Sequence, residues 1–320
     1  MINLNQKRNV NNKLKNKTNN QIPDLEKTIF IGAWSGWSDA TKIATRALRE
    51  IVSQASGKKF HSIEPEEFYD FSQNRPSVKN RNDGKREIKW PSNNFYYINT
   101  DKNSRDIVLF LGIEPNYKWE TYAREIFDIA KKVNTEIFVT LGALLDSVPH
   151  TRKPKISCTT TANDIYSLYS EGYKKKLQKE EYKKNINNIL YTPPSYEGPC
   201  GLTSVLGQKF DENNIPTISI WGHAPHYLQI AHNPTLTFTV LKELSNFLDI
   251  ELDLEQLELE ADEFRANLEN ALEDQKDIEI YIKKLEERFD SEEHTNWLNR
   301  TNPEPAQLVK ELEDFLKKER

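Results

Sequence analysis

Four short apolar runs punctuate the chain, and each closes on a glycine: Thr28 to Ile31 before Gly32, Ile107 to Leu111 before Gly112, Glu136 to Leu141 before Gly142, and Thr217 to Trp221 before Gly222. None alternates strictly between apolar and polar positions, which is the pattern of strands covered by helices on both faces. Lys59 to Ile63 reads as a fifth strand. Arg86 to Trp90 and Phe95 to Asn99, separated by Pro91 to Asn94, read as a small hairpin excursion. Between the runs the period changes. Ile43, Ala47, Leu48, Ile51 and Val52 recur at helical spacing after Asp39, which suits an N-cap or first turn. Tyr122, Ile126, Ile129, Ala130 and Val133 do the same after Trp119. Leu202, Val205, Leu206 and Phe210 make a shorter helix, and Leu236 to Leu248 a longer one opened by Asn233 and Pro234. Strands alternating with helices of this length predict βαβ units and an α/β core over residues 23–250, with a mostly parallel sheet and helices on both faces.

Beyond Ile250 the pattern is helical throughout. Leu257, Ala261, Phe264, Leu268 and Leu272 step by three or four, as do Ile278, Ile282, Leu285 and Phe289. Asn302 to Pro305 interrupts the run before a last helix bearing Leu308, Leu312, Phe315 and Leu316. Each helix has one apolar stripe and must pack on something. Residues 251–320 are therefore expected to form a helical subdomain lying on the core or on a neighbouring subunit. Residues 1–22, rich in Asn and Lys with no apolar run, are expected to be a disordered tail.

Charge narrows the partners. The chain has 44 basic and 49 acidic residues, a net charge of −5, which points to no polyanionic partner. Residues 251–320 hold 22 acidic and 10 basic side chains, either a solvated helical face or an acidic docking surface. The lysine-rich stretch 171–188 lacks the aromatic platforms of a nucleic-acid module, so no nucleic-acid partner is expected. No apolar run approaches the ~18 residues of a membrane span, and no signal-peptide core opens the chain. Cys158 and Cys200 give neither a disulfide framework nor zinc spacing. A cytoplasmic protein without membrane contact, metal or cofactor is the expectation.

In open parallel sheets ligands bind beyond the carboxyl ends of the strands. The residues after the four glycines are rich in functional groups: Trp34, Ser35, Trp37 and Asp39; Glu114; Asp146, His150 and Arg152; and His223, His226 and Tyr227. A fifth loop adds Tyr196, Glu197 and Cys200 just before the helix at Leu202. Four strand exits should gather these side chains on one rim, which is the main functional signal of the sequence. Singly, each has a plainer account. His150, His223 and His226 could ligate a metal with Glu114 or Asp146, yet the His223–His226 spacing runs across Pro225 and is no zinc-helix motif. Cys200, beside a helix N-terminus, could be an activated thiol or a simple cap neighbour. Glu114 could be a general base or a helix cap. The stretch Gly36 to Lys42 lacks the second glycine and the hydroxyl of a phosphate loop, and no Gly-x-Gly-x-x-Gly occurs.

Taken in order, Gly36-Trp37-Ser38-Asp39-Ala40, Tyr69-Asp70-Phe71 with Arg75-Pro76, Gly112-Ile113-Glu114-Pro115 with Trp119, Gly142 to Asp146 with Pro149 to Arg152, Tyr196 to Pro199, and Pro225-His226-Tyr227 resemble the proteasome assembly chaperone 2 family, in its bacterial, actinobacterial-type branch. The motifs span Thr28 to Leu248, and Tyr281 with Leu285 to Arg288 resembles the C-terminal appendage of actinobacterial members. The resemblance implies a phosphorylase/nucleosidase-like α/β fold and homo-oligomers, a trimer among them. In the archaeal and eukaryotic branches it implies help in assembling 20S proteasome subunits. Cys200 departs from the threonine common in relatives, and the terminal Lys318-Glu319-Arg320 departs from the hydrophobic–tyrosine–any tail of proteasome-docking members.

Two functions follow as expectations. One is an oligomeric binding or assembly protein that presents its loop rim, or its acidic helices, to a protein partner. The other is a small-molecule enzyme, a nucleosidase- or phosphorylase-like hydrolase or transferase or the ligase often attached to bacterial members. It would use Glu114, His150, Glu197 and His226 as acid–base groups and Arg152 as an anion contact. A deep pocket at the rim would favour the enzyme, and a flat apolar patch the partner.

Overall fold

The computed structural model describes residues 22–100, 105–162, 189–191, 197–228, 230–248, 250–273 and 275–292. The N-terminal tail, the lysine-rich 171–188 stretch, Tyr196 and the helix expected around Leu308 to Leu316 lie outside the described residues.

Four strands form the parallel centre: β1 (Thr28–Ser35), β6 (Asp106–Ile113), β7 (Thr135–Asp146) and β10 (Thr217–Pro225). They are the four apolar runs. β2 (Lys58–Ile63) and β5 (Asn93–Ile98) extend the sheet on one side, and β8 (Ile156–Thr160) and β9 (Ile189–Tyr191) on the other. The order is β2-β5-β6-β1-β7-β10-β8-β9. β2/β5, β5/β6 and β8/β10 pair antiparallel, so the sheet is mixed at its flanks.

The face alternation of β1 separates two cores. Ile29, Ile31 and Ala33 point to a cluster shared with α1 (Ile43–Gln54) and α4 (Pro234–Leu248). Phe30 and Trp34 point to an aromatic cluster beneath α2 (Trp119–Lys132) and α3 (Leu202–Asp211), where Phe138 and Phe210 stack with ring centroids 3.8 Å apart. The helix starts are local chemistry. Asn233 caps α4, its Oδ1 accepting the Leu236 N–H at 3.0 Å. Asp39 holds the entry to α1 across a short 3-10 turn in which Thr41 and Lys42 have positive φ. Its Oδ1 accepts the Ala44 N–H at 2.9 Å, and its Oδ2 the Thr45 hydroxyl at 2.6 Å.

Two sequence expectations are corrected. The strands do not stop at their glycines: β1 runs on to Ser35 and β7 to Asp146. The Trp34 ring lies back over Gly32, and a Cβ on Gly142 would stand 2.7 Å from the Trp221 ring of the neighbouring strand. Glycine here makes room for an indole inside a strand. The second correction concerns Arg86 to Trp90. Arg86–Lys89 is β4, and it pairs antiparallel with β3 (Ser77–Asn80) around Asp83 and Gly84, not with Phe95 to Asn99. Residues 93–98 instead enter the main sheet as β5. Asp-Gly between two short runs was the turn signal.

The C-terminal helices α5 (Glu255–Leu272) and α6 (Lys276–Glu292) pack on the core of their own chain. Leu257 and Ala261 are buried against α4, and Arg46 of α1 pairs with Glu260 at 2.7 Å. The apolar stripe Tyr281, Ile282, Leu285 and Phe289 of α6 is also buried. Among the described residues no helix is long and apolar enough to cross a membrane.

Candidate functional site

The carboxyl ends of β6, β1, β7 and β10 lie side by side, and the candidate residues divide between two clusters along that edge.

The first is built on Glu114. Its N–H donates to the Ser35 carbonyl at 2.9 Å, extending the β1/β6 ladder by one step. Its carboxylate then bridges two loops: Oε2 accepts the Trp37 N–H at 3.0 Å, and Oε1 accepts the Leu202 N–H at 2.9 Å. The second bond satisfies a free donor of the first turn of α3, where the N-cap residue Gly201 has no side chain to do so. Gly36, at φ +152, is required here because a Cβ would stand 2.7 Å from Cβ of Glu114. The Trp37 ring lies beside Gly201 and is otherwise open to solvent. Cys200 and Glu197 are exposed on the loop that leads into α3, with the Cys200 thiol free. Behind this cluster, Tyr69 and Tyr122 share the buried amide oxygen of Asn93 at 2.7 and 2.8 Å, and Asn93 also accepts the Ile113 N–H at 3.1 Å. Burial raises the Tyr69 phenol to about 12, so this knot stays neutral and fixes the end of β6.

The second cluster lies at the exits of β7 and β10. Asp146 Oδ2 is 2.8 Å from Nδ1 of His223 and 3.3 Å from Nζ of Lys155. His223 Nε2 is 2.7 Å from the Ser157 hydroxyl. Burial alone would raise the Asp146 carboxyl, but the His223 hydrogen bond and the Lys155 charge outweigh it and hold it well below the usual carboxylate range. Burial also pushes His223 down, more than the Asp146 bond lifts it. The consistent assignment is a lysine–aspartate ion pair beside a neutral imidazole. That imidazole donates from Nδ1 to Asp146 and accepts the Ser157 hydroxyl at Nε2.

Around this relay the remaining candidates face α6. His226 is held by the Asp146 carbonyl at Nδ1 (3.0 Å) and meets the Tyr281 hydroxyl at Nε2 (3.0 Å). The Tyr227 hydroxyl accepts the His150 N–H at 2.8 Å and lies 2.6 Å from its Nδ1. Arg152 grips Asp290 with Nε and Nη2 at 2.9 and 2.7 Å and Glu286 with Nη1 at 3.0 Å, while the Thr151 hydroxyl also bonds Glu286. Beside the relay a void of about 30 Å³ is bordered by Val148, His150, Lys155, His223 and Leu236, and by Phe264 and Leu268 of α5. It has room for a water molecule or two.

Asp146, His150, Arg152, His223, His226 and Tyr227 are thus gathered in one place, and Trp37, Glu114 and Cys200 in another. Asp39, buried and bridged to Ala143, lies between them, and Trp34 is wholly inside the aromatic core. Among the described residues no three His, Cys, Asp or Glu side chains converge as metal ligands would. Ser157 and Lys155 escaped the sequence reading because β8 has no apolar periodicity to mark it. Tyr281 escaped as a site residue because its helix reads as a plain amphipathic element.

The PAC2 family model matches residues 33–272, three quarters of the chain. The chain belongs to the PAC2 family. Two solved PAC2-type structures share 26% identity with it, each over 79% of this chain and 99% of the other. They are a PAC2 family protein of Streptomyces avermitilis, with a TM-score of 0.64, and a proteasome-assembly chaperone homologue of Mycobacterium tuberculosis, with a TM-score of 0.63. The archaeal proteasome activator PbaB of Pyrococcus furiosus, 20% identical, has the same fold, with a TM-score of 0.60 over 79% of this chain and 96% of that one. No curated protein matches. In this PAC2 chain several of the motif residues serve as braces: Glu114, Asp39 and Tyr69 each hold backbone.

Proposed function

We propose that this PAC2 protein is an oligomeric assembly or partner-binding protein that presents the β1/β6 end of its sheet edge to a protein client. One observation is central. Trp37 is 55% and Tyr117 53% exposed on the two loops that leave β1 and β6, whereas the histidine-bearing exits are roofed by the chain's own α6. Exposed aromatics on a braced backbone are the anchors of protein interfaces. The void beneath α5 is roughly ten times smaller than a metabolite site requires. The likeness to the M. tuberculosis chaperone homologue agrees in kind, with an assembly subunit as the client class. Native mass spectrometry of the full chain from its own cells tests this. A stoichiometric protein partner should accompany the parent and be lost from the Trp37→Ala/Tyr117→Ala variant. A retained small molecule and no protein would overturn the reading.

A second reading, a hydrolase, is favoured by the Ser157–His223–Asp146 relay alone, whose bond order matches that of serine hydrolases. A fluorophosphonate probe separates the two. Labelling of Ser157 that is lost in His223→Gln would establish a nucleophile, and an unlabelled folded protein would remove it.

A further inference from the structure

The β3–β4 hairpin stands out from the sheet with all eight of its residues exposed. Val78 and Ile88 face each other across it, 59% and 50% exposed. Trp90 follows two residues along on the same face, exposed apart from an edge contact to Phe71 at 5.1 Å. A two-stranded ribbon gains little stability by itself, and this one leaves its apolar face uncovered. It is also basic: residues 77–90 hold Lys79, Arg81, Lys85, Arg86 and Lys89 against Asp83 and Glu87. Arg81 and Lys89 are paired within the hairpin, while Lys85 and Arg86 have no ion-pair partner among the described residues.

The opposite chemistry lies on α5. Leu259 is 58% exposed, and its helical neighbours at i−4, i+3 and i+4 are Glu255, Asp262 and Glu263, all exposed. The whole helix has six acidic residues and one arginine. Within one molecule the two patches are held apart. The hairpin leaves the sheet beside β5, and α5 rides on α4, which packs against β10, four strands away or about 19 Å at the usual strand spacing.

From this complementarity we infer that copies of the chain associate head to tail, the hairpin of one seating Val78, Ile88 and Arg86 on the Leu259 face of α5 in the next. Such a contact is heterologous and closes into a ring when its rotation permits. The inference rests on the oligomeric reading above and assigns its surface, leaving Trp37 and Tyr117 for the client.

The test is light scattering coupled to size exclusion on full-length chains. The parent should exceed one copy, and Ile88→Glu and Leu259→Lys should each be monomeric with an unchanged thermal melt. An equimolar mixture should form a dimer, because the first variant keeps an intact α5 and the second an intact hairpin. Arg86→Glu repeats the test by charge alone should Ile88→Glu fold poorly. Variants that keep the parent's copy number would overturn this pairing while leaving the oligomer standing, and a mixture that stays monomeric would overturn the head-to-tail geometry. A parent that is monomeric at every concentration would overturn both.

Discussion

The Tyr281 hydroxyl meets Nε2 of His226 at 3.0 Å, and the other nitrogen of that ring is held by the carbonyl of Asp146. A helix near the C-terminal end of the described chain is thereby bonded to the end of a central strand. Around this contact Tyr281, Ile282, Leu285 and Phe289 are buried, as is Leu257 on the preceding helix. Burial of each such side chain contributes roughly 1.5–3 kcal/mol, and together they approach the whole stability of an ordinary domain. Truncation after Ile250 is therefore expected to give aggregation or a changed copy number, followed by light scattering. A soluble product with the parent's copy number and melting temperature would contradict this.

Glu114 is expected to act as a brace. Glu114→Ala removes the acceptor for both the Trp37 and Leu202 N–H groups and should cost about 1–3 kcal/mol. Glu114→Gln retains one oxygen and should cost less. Chemical denaturation of the two variants gives the comparison. Equal stabilities would mean that the bridge contributes nothing.

The Lys155–Asp146 pair predicts a larger effect. Both side chains are almost fully buried, so Lys155→Met strands a carboxylate in the interior, a loss of about 3 kcal/mol. The double variant Lys155→Met/Asp146→Asn should recover part of that loss, since no unpaired charge remains. A double variant less stable than the sum of its parts would refute the pairing.

Acid should loosen the α6 side of the molecule. Burial lowers His150 below its usual 6.5, against the opposing charges of Glu269 and Glu286, and also lowers His223 and His61. The unfolded chain then binds more protons than the folded one just below pH 6.5. The stabilisation is full above that value and is lost as the pH falls toward the folded values. Melting temperature should drop from about pH 7.5 to about pH 5.5, less steeply in His150→Gln. A flat profile would show that these rings protonate freely in the fold.

The sheet centre was legible in the sequence because its four strands are continuous apolar runs, α1 and α4 because their stripes follow the cap residues Asp39 and Asn233, and α2 by its stripe alone. The sequence hid what depends on distant partners. Nothing around Ser157 announces that His223 lies 2.7 Å away, and Glu114 cannot be told from an acid–base residue until Leu202 is seen above it. The strand exits read as one rim, and the fold divides it because α6 covers the β7 and β10 exits. That cover depends on Arg152 meeting Asp290 across 138 positions, which no local pattern encodes.

The strand order has a consequence for how this molecule is made. β1 precedes the other described strands in the chain, yet both of its neighbours, β6 and β7, begin at residues 106 and 135. β7 in turn waits for β10, which ends at residue 225. Until β6 and β7 are complete, at residue 146, the nascent chain exposes in β1 seven buried-type residues and at least one open edge. Slow translation across residues 60–130 should therefore raise its misfolding, whereas slow translation after residue 230 should not.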